Sequence, residues 1–308
     1  MKILVIGAGA VGGYFGGILA KEGENVTFVA RGKYLDSLKT SGLKIRSYKG
    51  DLSLRVNAIE NPEELGEIDL ILMCVKSYDT EEATLQCMKN IGESTIVLSL
   101  QNGVDNEEKI GRIVGRNKVL GGVVFISSEL KQSWEICHYA YGKIIIGEMD
   151  GRISDRVHKV ADIFKNAHIP CSISNDIQKE LWKKLVWNAA FNSVSAITRF
   201  AVEEILGCEE TRELVRLTMM EVLNIAREIG HDLDECVIEE YLVVPERSQE
   251  ARTSTLQDLL KRKPLEIDAM NGVVVTYGKK LGIPTPYNSS LYALLKLINN
   301  KPQQYRKK

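Results

Sequence analysis

The stretch Lys2-Ile3-Leu4-Val5-Ile6-Gly7-Ala8-Gly9-Ala10-Val11-Gly12 opens the chain. Its first five residues are a mostly apolar run of strand length, and the glycines that follow have the G-x-G-x-x-G spacing. Tyr14, Phe15, Ile18, Leu19 and Ala20 then recur at helical spacing as far as Gly23, and Val26-Thr27-Phe28-Val29-Ala30 is a second strand-length run. Strand, glycine turn, helix and strand in this order make the opening of a dinucleotide-binding βαβ unit. Each glycine answers a physical demand. Gly7 turns the chain off the strand, Gly9 lets a pyrophosphate reach the backbone, and Gly12 lets the helix pack closely on the sheet. The phosphate charge then meets unpaired N–H groups at the helix start. Gly7, Ala8, Gly9, Ala10, Val11 and Gly12 are therefore the expected cofactor-binding turn.

An NAD site of this type carries an acid about twenty residues beyond the glycines, for the ribose 2′-OH. Here the second run ends Val29-Ala30-Arg31-Gly32-Lys33, with no acid. Arginine grips phosphate oxygens with a paired fork. The expected cofactor is thus NADPH/NADP+, with Arg31 on its 2′-phosphate.

Strand-length and helix-length patterns continue to alternate for another 140 residues or so. A helix is expected over residues 33–42 and short strands over 43–46 and 52–56. Nearly unbroken apolar runs at 68–75 and 95–100 have the composition of strands covered on both faces. The first is followed by Lys76 and the second by Gln101-Asn102-Gly103. Ligands of open α/β sheets bind beyond the carboxyl ends of strands, which makes Lys76 a candidate cofactor contact. Asn102 is either a cofactor and substrate contact or one residue of a tight turn. A strand is expected over 119–127, residues 134–139 and 143–147 read as a later antiparallel pair, and 152–166 as an amphipathic helix. Residues 169–173 read as an edge strand, because Pro170 cannot donate to a ladder. The alternation stops there. The expected division is a dinucleotide-binding domain over 1–174 and an all-helical substrate domain over 175–308, with helices near 177–198, 211–229, 234–244, 254–261, 266–281 and 287–298.

Composition narrows the partners. The 308 residues carry 40 basic and 41 acidic side chains, a net charge of -1, which argues against nucleic acid or an anionic membrane as partner. No stretch approaches the roughly eighteen apolar residues of a membrane span, and the first residues belong to the fold rather than to a signal peptide. The six cysteines are scattered without a C-x-x-C, as expected of a reducing cytoplasm. The four histidines lack metal-ligand spacing, so no metal is expected. The basic tail Arg306-Lys307-Lys308 reads as a frayed end.

The chemistry-bearing pattern lies in Glu180-Leu181-Trp182-Lys183-Lys184-Leu185-Val186-Trp187-Asn188-Ala189-Ala190-Phe191-Asn192. Lys184, Asn188 and Asn192 recur every four residues and share one helical face, in an otherwise apolar setting. Asparagine is a poor residue for a helix interior, so two in register suggest a line of partners, with a lysine one turn before them to donate a proton. Ser254 can cap the helix that follows it and still present its hydroxyl. Glu266 lies where a helix dipole favours an anion, and capping alone would account for it.

Taken with Gln101-Asn102-Gly103, Ser254-Thr255-Leu256-Gln257-Asp258 and Glu266-Ile267-Asp268-x-x-Asn271-Gly272, these motifs resemble the ketopantoate reductase family over essentially the whole chain. The resemblance implies an α/β Rossmann-type N-terminal domain followed by an all-α C-terminal domain of the 6-phosphogluconate-dehydrogenase-like kind. It also implies NADPH-dependent reduction of 2-dehydropantoate to (R)-pantoate, on the route to pantothenate. Lys184 would match the catalytic lysine and Glu266 its acidic partner, which also faces the cofactor. Asn188, Asn192, Ser254 and Asn102 would match substrate contacts; Arg31, Lys76 and Asn102 would match cofactor contacts. Residues 198–202 depart from the family pattern, which commonly has an asparagine in that loop. Two other readings stand beside this one: a reductase of a different small 2-oxo acid with the same apparatus, and a non-catalytic NADP-binding sensor. The helical domain could offer a surface for a homodimer, and monomer and dimer both stay open.

Overall fold

In the computed structural model, which describes residues 1–131, 134–243 and 252–300, the opening run is β1 (Lys2–Ile6) and the glycine turn leads into α1 (Ala10–Lys21). Arg306-Lys307-Lys308 lies outside the described residues. There follow β2 (Asn25–Val29), α2 (Gly32–Ser41), β3 (Leu43–Ser47), β4 (Leu52–Leu54), β5 (Asn57–Ile59), β6 (Leu70–Met73), α3 (Thr80–Gln86), β7 (Ile96–Ser99), α4 (Asn106–Val114), β8 (Val119–Leu130), β9 (Glu135–Glu148), α5 (Asp155–Asn166) and β10 (Cys171–Ile173). All ten strands join one sheet, in the order β4-β3-β9-β8-β7-β6-β1-β2-β5 with β10 beside β9.

From β5 to β8 every pairing is parallel. The strand order reverses at β1, with β2 on one side and β6 on the other, and that reversal is the ligand-binding crevice of doubly wound sheets. Both faces of these strands are covered. Ile3 and Val5 of β1, with Leu70 and Leu72 of β6, pack on the side of Phe15, Leu19 and Phe164. Leu4, Ile6, Ile71 and Met73 pack on the other side, with Ala83 and Ile110. Side chains alternate across a strand, so double coverage demands the unbroken apolar runs seen in the sequence.

One sequence expectation is corrected here. The runs at 134–139 and 143–147 do not pair with each other; they are halves of a single strand, β9, antiparallel to β8. The register steps between Phe125 and Ile126, where Lys143 and Tyr141 face them and Gly142 is left over. Tyr141 and Gly142 have φ of 65° and 97°. The glycine serves a bulge rather than a turn.

The remaining elements are helical: α6 (Ile177–Trp187), a π-helical turn (Asn188–Asn192), α7 (Ser193–Thr198), α8 (Val202–Gly207), α9 (Glu209–Glu228), α10 (Cys236–Leu242), α11 (Ser254–Leu260), a second π-helical turn (Asp268–Gly272), α12 (Val273–Leu281) and α13 (Pro286–Asn300). The six-residue α8 lies between the expected helices at 177–198 and 211–229, where the sequence gives no expectation, and extended backbone at Cys208 separates it from α9. The chain divides into two compact units. One is Met1–Gln101 with Asp105–Ile177; the other begins at Gln178 and includes Asn102–Val104. No helix of the described residues is long and apolar enough to cross a membrane.

A polar network runs through the core of the helical unit. Asn271, fully buried in the second π turn, donates from Nδ2 to the Ala189 carbonyl of the first (2.9 Å) and to Asn288 Oδ1 (2.9 Å). Ser193 Oγ donates to Asn271 Oδ1. Asn288 donates from N and Nδ2 to Glu221 Oε2 at 2.9 and 2.8 Å, and Tyr287 N donates to Glu221 Oε1 at 2.9 Å. Glu221, on α9, thereby caps the start of α13, where the helix dipole welcomes a carboxylate. In Glu221→Ala these donors lose their acceptor, and at ~1–3 kcal/mol for each stranded buried group the expected loss of stability is about 3 kcal/mol or more. Urea unfolding measures it; a loss below about 1 kcal/mol would show that water substitutes for the carboxylate.

Candidate functional site

The glycine turn is shaped by contacts on one side and by open space on the other. Gly7 has φ of +94°, and a Cβ there would lie 2.7 Å from Val75 N. A Cβ on Gly12 would lie 2.3 Å from Gly7 O. A Cβ on Gly9 would meet nothing within 4 Å. Protein packing therefore requires glycine at 7 and 12 but not at 9, where the open space suits an approaching group. Gly9 is also the N-cap of α1; no side chain caps that end, and its first turn holds no acid. Bare N–H groups at a helix start bind anions. The turn fits the pyrophosphate of an NAD(P)H.

The strand ends converge on it. Cys74 N donates to Ile6 O (2.8 Å), Ala8 N to Val29 O (3.3 Å) and Leu100 N to Met73 O (2.9 Å). Lys76, partly buried, follows β6 at the head of a short 3₁₀ turn, Ser77–Asp79. Arg31 follows β2, where it caps α2 without a side-chain bond. Its guanidinium is exposed and engaged: Nη2 donates to Glu82 Oε1 at 3.4 Å and to Gln86 Oε1 at 3.3 Å. Gln101 ties the ends of β7 and β6 together, donating from Nε2 to Val75 O (2.9 Å) and to Thr80 Oγ1 (2.8 Å). Asn102, partly buried, comes next.

In the helical unit, Lys184 lies on α6, and Asn188 and Asn192 open and close the first π turn. Hydrogen bonds there run i→i+5, and such turns occur often at functional sites. Only the asparagines hinted at it in the sequence, since a π turn has no composition of its own. Asn188 and Asn192 are buried. Neither polar atom of the Asn192 amide has a hydrogen-bond partner among the described residues. A buried amide with both ends unsatisfied is costly, and a bound polar ligand would satisfy it.

Glu266 is buried just ahead of the second π turn, and no side chain caps that turn. Its charge instead acts on Lys184. Burial pulls the Lys184 ammonium down to about 8, while the Glu266 carboxylate works in the opposite direction. The structure thus brings together Lys184 and Glu266, which are distant in sequence. It places Ser254 differently from expectation: the cap of α11 is Thr253, whose hydroxyl accepts from Leu256 N at 3.3 Å. Ser254 is the first helical residue, and its side chain is exposed and not used in capping.

Glu107 is one of the buried acids that the sequence does not single out; it lies in the first turn of α4, just after the Asn102 turn, and is only 3% exposed. Among the described residues both its carboxylate oxygens lack a well-formed hydrogen bond, as does the nearby Ser99 hydroxyl. Burial raises its carboxyl to about 7, the Asp105 charge adds to the rise, and its own backbone amide and Ser99 oppose it. In sequence it reads as an ordinary first-turn acid beside Glu108, and only burial separates the two.

Comparison with known proteins agrees with this architecture. A family model described as ketopantoate reductase PanE/ApbA matches residues 3–151, and the model of that family's C-terminal part matches 176–299. The chain is 34% identical to the 2-dehydropantoate 2-reductase of Archaeoglobus fulgidus, over 97% of this chain and 98% of that protein. The crystal structure of a PanE/ApbA family ketopantoate reductase from Ralstonia eutropha JMP134 is similar with a TM-score of 0.92 at 34% identity, covering 99% of this chain and 100% of that one. That of 2-dehydropantoate 2-reductase from Geobacter metallireducens GS-15 has a TM-score of 0.92 at 33% identity, covering 96% and 99%.

The raised Glu107 carboxyl makes a prediction about stability. The folded chain holds this proton up to about pH 7, whereas an ordinary glutamic acid releases it near 4.5. The folded state then binds more protons than the unfolded state between those values, so this group's contribution falls as pH rises through the window and levels off above it. Glu107→Gln, neutral throughout, should flatten that part of a melting-temperature profile. An unchanged slope in the variant would assign the pH dependence to other groups.

Proposed function

Because the chain belongs to the ketopantoate reductase PanE/ApbA family, we propose that it reduces the C2 ketone of 2-dehydropantoate to (R)-pantoate with NADPH, on the route to pantothenate. The observation that carries the reading is the placement of Lys184, partly buried and under the influence of Glu266, on the same helical run as the buried Asn188 and Asn192. Residues 1–174 serve the cofactor and 175–308 the substrate. With its pyrophosphate at the glycine turn, the cofactor would supply a hydride from its nicotinamide to the ketone carbon. Everything else falls to side chains of this chain. The Gly7–Gly12 turn holds the cofactor's pyrophosphate, Lys76 is a further cofactor contact, and Arg31 holds the 2′-phosphate. Asn102 spans cofactor and substrate.

Negative charge grows on the ketone oxygen during reduction. Lys184 donates a hydrogen bond to that oxygen and then its proton, which leaves a neutral amine and an alcohol. A value of about 8 suits both duties. The group remains mostly ammonium at neutral pH, yet it releases its proton more readily than an exposed lysine does. Asn188 and Asn192 hold substrate oxygens, and the unsatisfied Asn192 amide has a donor and an acceptor to offer. Glu266 keeps Lys184 charged and oriented or receives the substrate's hydroxyl. Ser254 supplies a hydroxyl for the substrate's carboxylate or hydroxyl end.

NADPH oxidation with 2-dehydropantoate, run beside NADH and a panel of other 2-oxo acids, tests the assignment. A faster 2-oxo acid would move the substrate and leave the apparatus in place. NADPH binding without turnover on any of them would leave the sensor reading. Lys184→Ala should lower turnover by roughly 10²–10⁴-fold, the range of a general acid, with little change in NADPH affinity. Intact turnover in that variant would remove the lysine from the mechanism. In the native enzyme, kcat/KM should fall by one proton's dependence as pH rises through about 8, where Lys184 gives up its charge. A profile flat to pH 10 or so would show that an unperturbed lysine suffices.

A further inference from the structure

We infer that Glu82, on α3, sets how strongly this chain discriminates between NADPH and NADH. The inference rests on the reading of Arg31 as the 2′-phosphate contact. The end of β2 lacks the acid that NAD sites place there. The fold nevertheless returns a carboxylate to that point from another element. Glu82 Oε1 lies 3.4 Å from Arg31 Nη2, although the two residues are 51 positions apart.

The same Arg31 nitrogen meets Gln86 Oε1 at 3.3 Å. Glu82 and Gln86 are four residues apart on α3 and therefore share a face. Gln86 is anchored from its other end, where Nε2 donates to the Glu60 carbonyl at 3.0 Å. It is a held, neutral contact. Glu82 has no second anchor among the described residues: its side chain is 72% exposed and Arg31's is 62% exposed, so the pair is a solvent-facing contact rather than part of the core.

Three physical effects of the carboxylate point the same way. It competes with a phosphate for the Arg31 fork. Its charge repels a 2′-phosphate, which carries close to two negative charges at neutral pH. It can also accept a hydrogen bond from a ribose 2′-OH, as the missing β2 acid does in NAD sites. Glu82 therefore works against NADPH and for NADH, while Arg31 does the reverse. The balance of the pair, and not the arginine alone, determines preference. Exposure keeps the effect modest and sensitive to salt.

The test is a set of dissociation constants for NADPH and NADH, read from nicotinamide fluorescence at low and physiological ionic strength. The proteins are the native chain, Glu82→Gln, Arg31→Ala and the double variant, with melting temperatures to confirm folding. Glu82→Gln should tighten NADPH by about 3- to 10-fold and leave NADH unchanged or a few-fold weaker. The gain should shrink as salt is added and should be smaller in the Arg31→Ala background, where competition for the fork is gone. An NADPH-to-NADH ratio within about two-fold of native in Glu82→Gln, with Arg31→Ala still lowering that ratio, would overturn the role of Glu82 alone. Weakening of both cofactors alike by Glu82→Gln would also overturn it. Equal losses of both cofactors in Arg31→Ala would sink the 2′-phosphate reading on which it stands.

Discussion

An ammonium group partly withdrawn from water on an apolar helix keeps its charge only if something offsets the hydration it has lost. Lys184 stands between Leu181 and Leu185 in sequence, both buried, on a helix whose other interior residues include Trp182 and Val186. Desolvation on its own favours the neutral amine. The Glu266 carboxylate opposes that, and the balance falls near 8 rather than lower. Placing charge and countercharge on separate segments makes the balance a property of the tertiary fold. The packing of the helical unit therefore has to hold those segments in place.

The two π turns are where that is done. One ends the helix bearing Lys184, and the other begins directly after Glu266 and Ile267. Asn271 links them by its bond to the Ala189 carbonyl, and it is held in turn by Ser193 and Asn288. An i→i+5 turn disturbs the regular carbonyl ladder, and here a side-chain amide serves a carbonyl within it. Glu221 completes the chain of bonds by fixing the start of α13. A fully paired network in a low-dielectric interior specifies one arrangement more sharply than apolar packing alone. The same interior leaves the Asn192 amide without a hydrogen-bond partner among the described residues, which is the opening that the proposed substrate contact uses.

How much of this was legible beforehand depended on sequence distance. The β1–α1–β2 opening was readable because its demands are local: an apolar strand, a glycine forced to φ of +94°, and a helix start bare of capping acid. The Lys184–Asn188–Asn192 pattern was readable because residues four apart share a helix face. What failed depended on long-range pairing or on burial. The antiparallel partner of β9 is β8, and Gly142 looks the same in a bulge as in a turn. Thr253 and Ser254 are both good caps, and only the backbone geometry chose the former. Glu107 and Glu108 are indistinguishable in sequence, yet one is buried and the other pairs with Arg112 at the surface. The Glu82 carboxylate reaches Arg31 only because α3 lies beside the end of β2.

The two cations of the proposed chemistry show why residue type and burial have to be chosen together. Arg31 is solvent-facing, and arginine as a residue type carries a permanent charge. It can bind an anion by a paired fork, and its strength is tuned only by neighbouring charges and by salt. Lys184 is withdrawn from water, and burial brings its proton within reach of physiological pH. It can therefore change charge during a reaction. Exchanging the types would defeat both positions. An arginine at 184 would stabilise charge but could not release its proton, and a lysine at 31 would offer a point charge in place of a fork. Recognition thus falls to the residue whose charge is permanent, and proton transfer to the one whose charge the fold has made conditional.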